Sequence, residues 1–137
     1  MTATKFAVAF GILMLIAVPL FAHHPFSAEF DQKKPVTLSG VVTKVDWENP
    51  HTYLHANVLQ PDGTTQTWSF EMGSVIGLKK AGWTKTTVKP GDMVMIEGWL
   101  ARSKSKPTTA NMKAIRLPDG RELSGASSNG NTDLATR

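Results

Sequence analysis

The chain has no cysteine at all. That excludes disulfide staples, thiol catalysis, Cys-based zinc or iron–sulfur sites and lipoprotein acylation, and leaves packing as the source of stability. Histidine is scarce, with four residues, and tyrosine occurs once. No H-E-x-x-H or other closely spaced ligand motif is present, and no serine sits in a nucleophile-elbow context, so a protein-only catalytic triad is not expected. Charge of one sign is not concentrated. Net charge is +4, and the basic residues are dispersed apart from "RSKSK" at 102–106, which reads as a solvated loop rather than a nucleic-acid patch.

Only one long hydrophobic run exists, at the start. Lys5 precedes an uncharged apolar stretch from Phe6 to Phe21, with Pro19 near its end and Ala22 closing it. A charged n-region, an apolar core and a small residue at the cleavage position make a secretory signal peptide over residues 1–22. The run is short for a spanning helix, and Pro19 interrupts it, so no transmembrane anchor is expected after cleavage. The expected location is periplasmic or secreted. Cleavage after Ala22 would leave a mature chain that begins His23-His24-Pro25 and is long enough for one small domain.

Beyond the leader the chain is a series of short alternating segments punctuated by turns. "KPVTLSGVVTKVDW" (34–47) sets Val36, Leu38 and Val42 on one face. Val41, Val45 and Trp47 take the other, or rejoin the core past a bulge, and Gly40 marks a bend. "HTYLHANVL" (51–59) has Leu54, Ala56 and Val58 as its apolar set, after the breaker Asn49-Pro50. "PDG" at 61–63 is a turn, and "TTQTWSFE" (64–71) places Trp68 and Phe70 together. The period then changes: Ser74 as N-cap and Gly82 as stop bracket a short helix in 73–83. After "KPGD", the strand 93–102 alternates Val94, Ile96 and Leu100 with Met93, Met95, Glu97 and Trp99. A last strand covers 110–117.

Three strands, a helix and two strands predict a mainly β chain. It is a small five-stranded OB-fold-like Greek-key barrel with one short helix between strands three and four. The expected organisation is a signal peptide at 1–22, an N-terminal arm at 23–35, the barrel at 36–123 and a disordered tail at 124–137.

The segments "HHPFSAEFDQKKPVTLSGVVTKVDWENPHTYLH", "WSFEMGS", "KKAGWTKTTVKPGD", "EGWLAR" and "DGRELSG" resemble the small exported bacterial proteins of domain-of-unknown-function family 6152. The leading His-His pair, "WENPH" and "WSFE" are the most specific pieces. The resemblance implies a compartment and a compact β-domain, and no activity. A more distant likeness of layout is to periplasmic bacterial OB-fold proteins.

The residues themselves give two candidate sites. After cleavage His23 offers an α-amine and an imidazole to one metal ion, an arrangement suited to Cu(II), and His24 adds a further imidazole. His51, at a strand start beside a rigid turn, is the third candidate ligand. His55 lies about 13 Å further along the same strand face at about 3.3 Å per residue, too far to share the ion. The competing reading is a solvated terminus left by the signal peptidase, with His51 bonded to a backbone carbonyl. Tyr53 and Trp99 are the candidates for a ligand or partner surface, either exposed with Met93 and Met95 or covered by the arm. Glu29, Asp31, Glu48 and Glu71 read as surface charge. The expected function is an exported, non-enzymatic binding or accessory module of the cell envelope, with an envelope protein or small ligand as partner and no nucleic acid. The alternative is a copper-binding protein or copper-dependent enzyme using the mature N-terminal histidine, with copper as the cofactor.

Overall fold

A computed structural model describes residues 25–127. A single helical turn, α1 (Phe26–Glu29), leads into β1 (Phe30–Asp46), followed by β2 (Tyr53–Leu59) and β3 (Thr65–Glu71). Helix α2 (Val75–Lys80) precedes β4 (Met93–Ala101), β5 (Thr109–Arg116) and β6 (Glu122–Ser124). The chain is mainly β, as its alternation predicts. The six strands lie in the order β3-β2-β1-β4-β5-β6, and β3 pairs in parallel with β5 as well, so hydrogen bonding closes a ring through five of them. Every other pairing is antiparallel.

The length of β1 is what permits closure. Residues from Phe30 to Val41 pair with β4, and residues from Gly40 to Asp46 pair with β2. Around Gly40 the strand is therefore held on both sides, facing Val58 and Val94. A Cβ there would lie 2.7 Å from the Asn57 carbonyl oxygen, so the glycine serves close approach of β2. The bulge itself falls later, between Val42 and Lys44. An extra residue reverses the phase of the alternation, which is why Val45 and Trp47 pack against the core on the opposite parity from Val36, Leu38 and Val42.

The core takes the apolar sets expected of β2 and β3: Leu54, Ala56, Val58, Trp68 and Phe70 are all buried. Val94, Ile96, Met112 and Ile115 complete it from β4 and β5. Ser74 caps α2, its Oγ accepting from the Gly77 N–H at 3.1 Å, and Gly82 beyond the helix has φ +93°. The helix buries Leu78 and leaves Ile76 outward.

The expected count of five strands is corrected to six. The Pro118-Asp119-Gly120 turn, with φ +87° at Gly120, sends the chain back along β5, and Leu117 N–H donates to the Arg121 carbonyl at 2.8 Å. The turn residues of "PDGREL" predict a short hook folding back, and its pairing with β5 makes that hook a strand. Pairing also starts at Phe30, inside the expected arm, and Ser124 belongs to β6 rather than to the tail. Gly125 is held in turn, its carbonyl accepting from the Gly73 N–H at 2.8 Å.

Candidate functional site

The end of β3 and the start of β2 make one wall. Tyr53 and Glu71 are cross-strand partners, and the Tyr53 hydroxyl donates to Glu71 Oε2 at 3.2 Å. Just outside the strands, Thr52 keeps the two chains zipped: its N–H donates to the Gly73 carbonyl and its carbonyl accepts from Met72 N–H. That pairing carries His51 beside Glu71. Its Nδ1 lies 3.5 Å from Glu71 Oε1 and 3.2 Å from the Met72 carbonyl oxygen. The preceding Asn49-Pro50 turn is tied to α2, since Asn49 Oδ1 accepts from the Val75 N–H at 3.0 Å.

The opposite wall is the segment that runs into the start of β1. Arg102, at the end of β4, holds it at three points: Nε donates to the Ser27 carbonyl at 2.7 Å, its N–H donates to the Glu29 carbonyl at 2.8 Å, and its guanidinium lies 3.5 Å from Asp31. Phe26 packs edge-on against Trp99, with ring centroids 5.4 Å apart, and tilts against Phe30 at 5.5 Å. So the arm covers Trp99, while Met93 and Met95 remain exposed on β4. Of the two residues singled out for a ligand surface, Tyr53 faces a cavity and Trp99 anchors the arm.

Two cavities adjoin where these walls meet. The first, about 530 Å³, is bordered by Glu29, His51, Tyr53, Glu71, Lys106 and Thr109. The second, about 440 Å³, shares Glu29, His51 and Glu71 with the first and is closed by Pro25, Phe26 and Asn111 among others. Each is in the size range of small-ligand sites.

Burial dominates the electrostatics. The Glu71 side chain is only 12 % exposed, and loss of water pushes its carboxyl above the ordinary value, with the Glu29 charge adding to the effect. The charge of His51 and the Tyr53 hydrogen bond oppose this. Tyr53 is pushed up to about 12, first by burial and then by the charge and hydrogen bond of Glu71. Its hydroxyl therefore stays protonated and donates throughout the physiological range.

The Glu71 shift has a testable sign. A carboxyl with a raised folded-state pKa binds its proton more tightly when folded than when unfolded. Its contribution to stability is full below the unfolded value near 4.5 and is lost as pH rises towards the folded value. Glu71→Gln, which keeps an acceptor for Tyr53, is therefore expected to unfold at higher denaturant concentration than wild type at pH 7. The gap should close below about pH 4.5, where both side chains are neutral. A variant less stable than wild type at pH 7 would mean that His51 outweighs burial.

The histidines part company. His55 Nε2 lies 2.9 Å from Asp46 Oδ2, and Lys44 holds the other oxygen at 2.7 Å. Bonds from Lys44 and then His55 keep the Asp46 carboxyl below its ordinary range. His55 does not join His51. His23 and His24 lie outside the described residues, and among those described no three His, Asp or Glu side chains form a group able to hold a metal ion. Sequence reasoning missed Glu29 and Glu71 as site residues. Nothing local marks Glu71; only the β2–β3 pairing sets it opposite Tyr53.

No helix among the described residues is long and apolar enough to cross a membrane. A family model described as a family of unknown function (DUF6152) matches residues 11–110. No curated protein matches the chain.

Proposed function

We propose a function from the premise that this chain belongs to the family of unknown function DUF6152: an exported, non-enzymatic binding or accessory module of the bacterial cell envelope. The observation that carries it is the pair of adjoining cavities sharing Glu29, His51 and Glu71. Their polar groups are held by neighbours rather than activated: Glu71 accepts from Tyr53, and the Tyr53 hydroxyl ionises only near 12. Such a wall recognises a ligand by hydrogen bonds and charge. The family name adds no activity to this reading.

The finer fold reading is an OB-fold-like barrel. Its support is β1 shared between β2 and β4, the parallel β3–β5 closure, and a helix between β3 and β4. Fold likeness does not by itself give function, so the site carries the proposal.

A copper-binding reading, with the enzyme form of it as an extension, has one observation in its favour. Pro25, the next residue after His24 in sequence, borders the same cavity as His51. The arm from which the mature N-terminus would extend is pinned to β4 by Arg102. An amine and imidazole from His23, an imidazole from His24 and one from His51 make a nitrogen set suited to Cu(II).

Two measurements test these readings together. Intact mass of the exported protein should show a start at His23. That processed form should then bind Cu(II) more tightly than one carrying an extra N-terminal Met, by about tenfold or more, equivalent to about 1.4 kcal/mol. The added residue turns the amine into an amide. Affinity should fall as pH drops through the imidazole range near ~6.5, because protons compete for the same nitrogens. His51→Ala should weaken binding and His55→Ala, occupied with Asp46, should not. Equal affinity in the processed and extended forms sinks the copper reading and leaves the cavity-based one.

A further inference from the structure

The chain has no thiol, so its sulfur chemistry rests on methionine alone. Met1 and Met14 fall in the expected signal peptide, which leaves Met72, Met93, Met95 and Met112. Those divide sharply. Met72 and Met112 are fully buried in the core, whereas Met93 is 58 % exposed and Met95 38 %. The exposed pair stand two residues apart on β4, so both side chains leave its outward face, while Val94 and Ile96 turn inward.

The neighbours of Met95 set it apart from an isolated surface methionine. It faces Ser39 across β1 and Arg116 across β5. Residues opposite one another in antiparallel strands project from one face, with Cβ atoms about 4.5–5.5 Å apart. Ser39, Met93, Met95 and Arg116 therefore line one open depression of about 370 Å³. Ser39 brings a hydroxyl. Arg116 brings a guanidinium, one of whose N–H groups meets Glu122 at 3.3 Å, with the remaining donors to spare. A thioether sulfur is a weak acceptor and makes little use of such donors. A sulfoxide oxygen is polar, and here it would have a hydroxyl on one side and a guanidinium on the other.

We infer that Met93 and Met95 form an oxidation site, at which a hydroperoxide delivers one oxygen atom to each thioether and the fold is kept. In each step a sulfur lone pair attacks a peroxide oxygen, and the S–O bond forms as the O–O bond breaks. The proton on the transferred oxygen passes to the departing hydroxide, which leaves as water. The sulfur is oxidised by two electrons and the peroxide reduced by the same two. At Met95 the product oxygen is received by Ser39 and Arg116. Opposite Met93 lies Val41, itself exposed, so oxidation turns an apolar strip across β1 and β4 polar. The inference is separate from the cavities around Glu71, which neither methionine borders.

The test treats the full exported protein with hydrogen peroxide and maps its peptides by mass. A metal chelator is present, which keeps any copper from generating radicals. Met93 and Met95 should take up oxygen about tenfold or more faster than Met72 and Met112, because the buried pair react only through local opening. Protein oxidised at both exposed sites should keep a cooperative urea transition with a midpoint near that of untreated protein. The Ser39→Ala/Arg116→Ala double variant separates a receiving site from mere exposure. Its midpoint should fall on oxidation, where that of wild type does not. Met93→Leu/Met95→Leu conserves apolar volume and should fold normally without rapid oxygen uptake. Oxidation of Met72 or Met112 at the same rate as the exposed pair overturns the inference. So does loss of cooperative unfolding once Met93 and Met95 alone are oxidised. An equal shift on oxidation in wild type and in the Ser39/Arg116 variant overturns it too, since the methionines are then only exposed.

Discussion

Gly98→Ala is expected to unfold at a markedly lower denaturant concentration than wild type, with a loss of about 3 kcal/mol or more. Gly98 sits in β4 between two partners, opposite Val36 of β1 and Met112 of β5. The β4–β5 register shifts between Glu97 and Gly98, and a Cβ at Gly98 would fall on the Asn111 carbonyl. The obstacle is backbone, which no rotamer change can clear. β5 must move away, and β5 is the strand that closes the ring onto β3 through Ser69, Phe70 and Glu71. Asn111 pairs with Glu71 in that closure, so the same substitution should disturb the second cavity. Gly120→Ala provides the contrast. Open space surrounds Gly120 but its φ is +87°, so only the left-handed conformation opposes the change, at about 1–2 kcal/mol. Urea unfolding of the two variants separates close approach from backbone conformation. A Gly98→Ala midpoint equal to that of Gly120→Ala would mean that β4 and β5 are not so closely apposed.

Alternation made the buried strand faces legible in the sequence. Leu54, Ala56 and Val58 alternate with polar residues because β2 has one wet face, and Trp68 and Phe70 do the same on β3. Ser74 and Gly82 were legible because capping and stopping a helix are local chemistry. The N-terminal part of β1 was not. The register with β4 shifts between Phe30 and Pro35, and Gln32, Lys33, Lys34 and Pro35 are all exposed, so this stretch leaves no apolar trace. The site shows the same division. His51 and Tyr53 stood out through their rarity and their place by a rigid turn. Glu29 and Glu71 did not, since each reads locally as a charge beside a strand end. Only β2–β3 pairing and the Arg102 latch on the arm bring them to common cavities. Contacts this far apart in sequence leave no periodic signature in one chain.

Trp68 should give the sharpest pair of substitutions in the core. It is 8 % exposed, stacks on Phe70 with centroids 6.1 Å apart, and pairs across β2 with Ala56, whose small side chain leaves room for the indole. Trp68→Ala should therefore destabilise by about 3–5 kcal/mol, as large-to-small core changes do. Trp68→Phe tests a different property of the same side chain. The indole Nε1 is buried and donates to no described group, and an unmet donor costs about 1–3 kcal/mol. Phenylalanine removes that donor and keeps an aromatic ring over Phe70, although it fills less space. The two effects oppose each other, so Trp68→Phe should lie within about 1 kcal/mol of wild type. Trp99→Ala should cost distinctly less than Trp68→Ala, because Trp99 is only half-buried and its partner is the Phe26 ring of the arm. Guanidinium unfolding followed by far-ultraviolet circular dichroism decides among the three. If Trp68→Phe proves as damaging as Trp68→Ala, the indole N–H has a partner that stabilises it. If Trp99→Ala matches Trp68→Ala, the arm belongs to the folding core rather than lying on its surface.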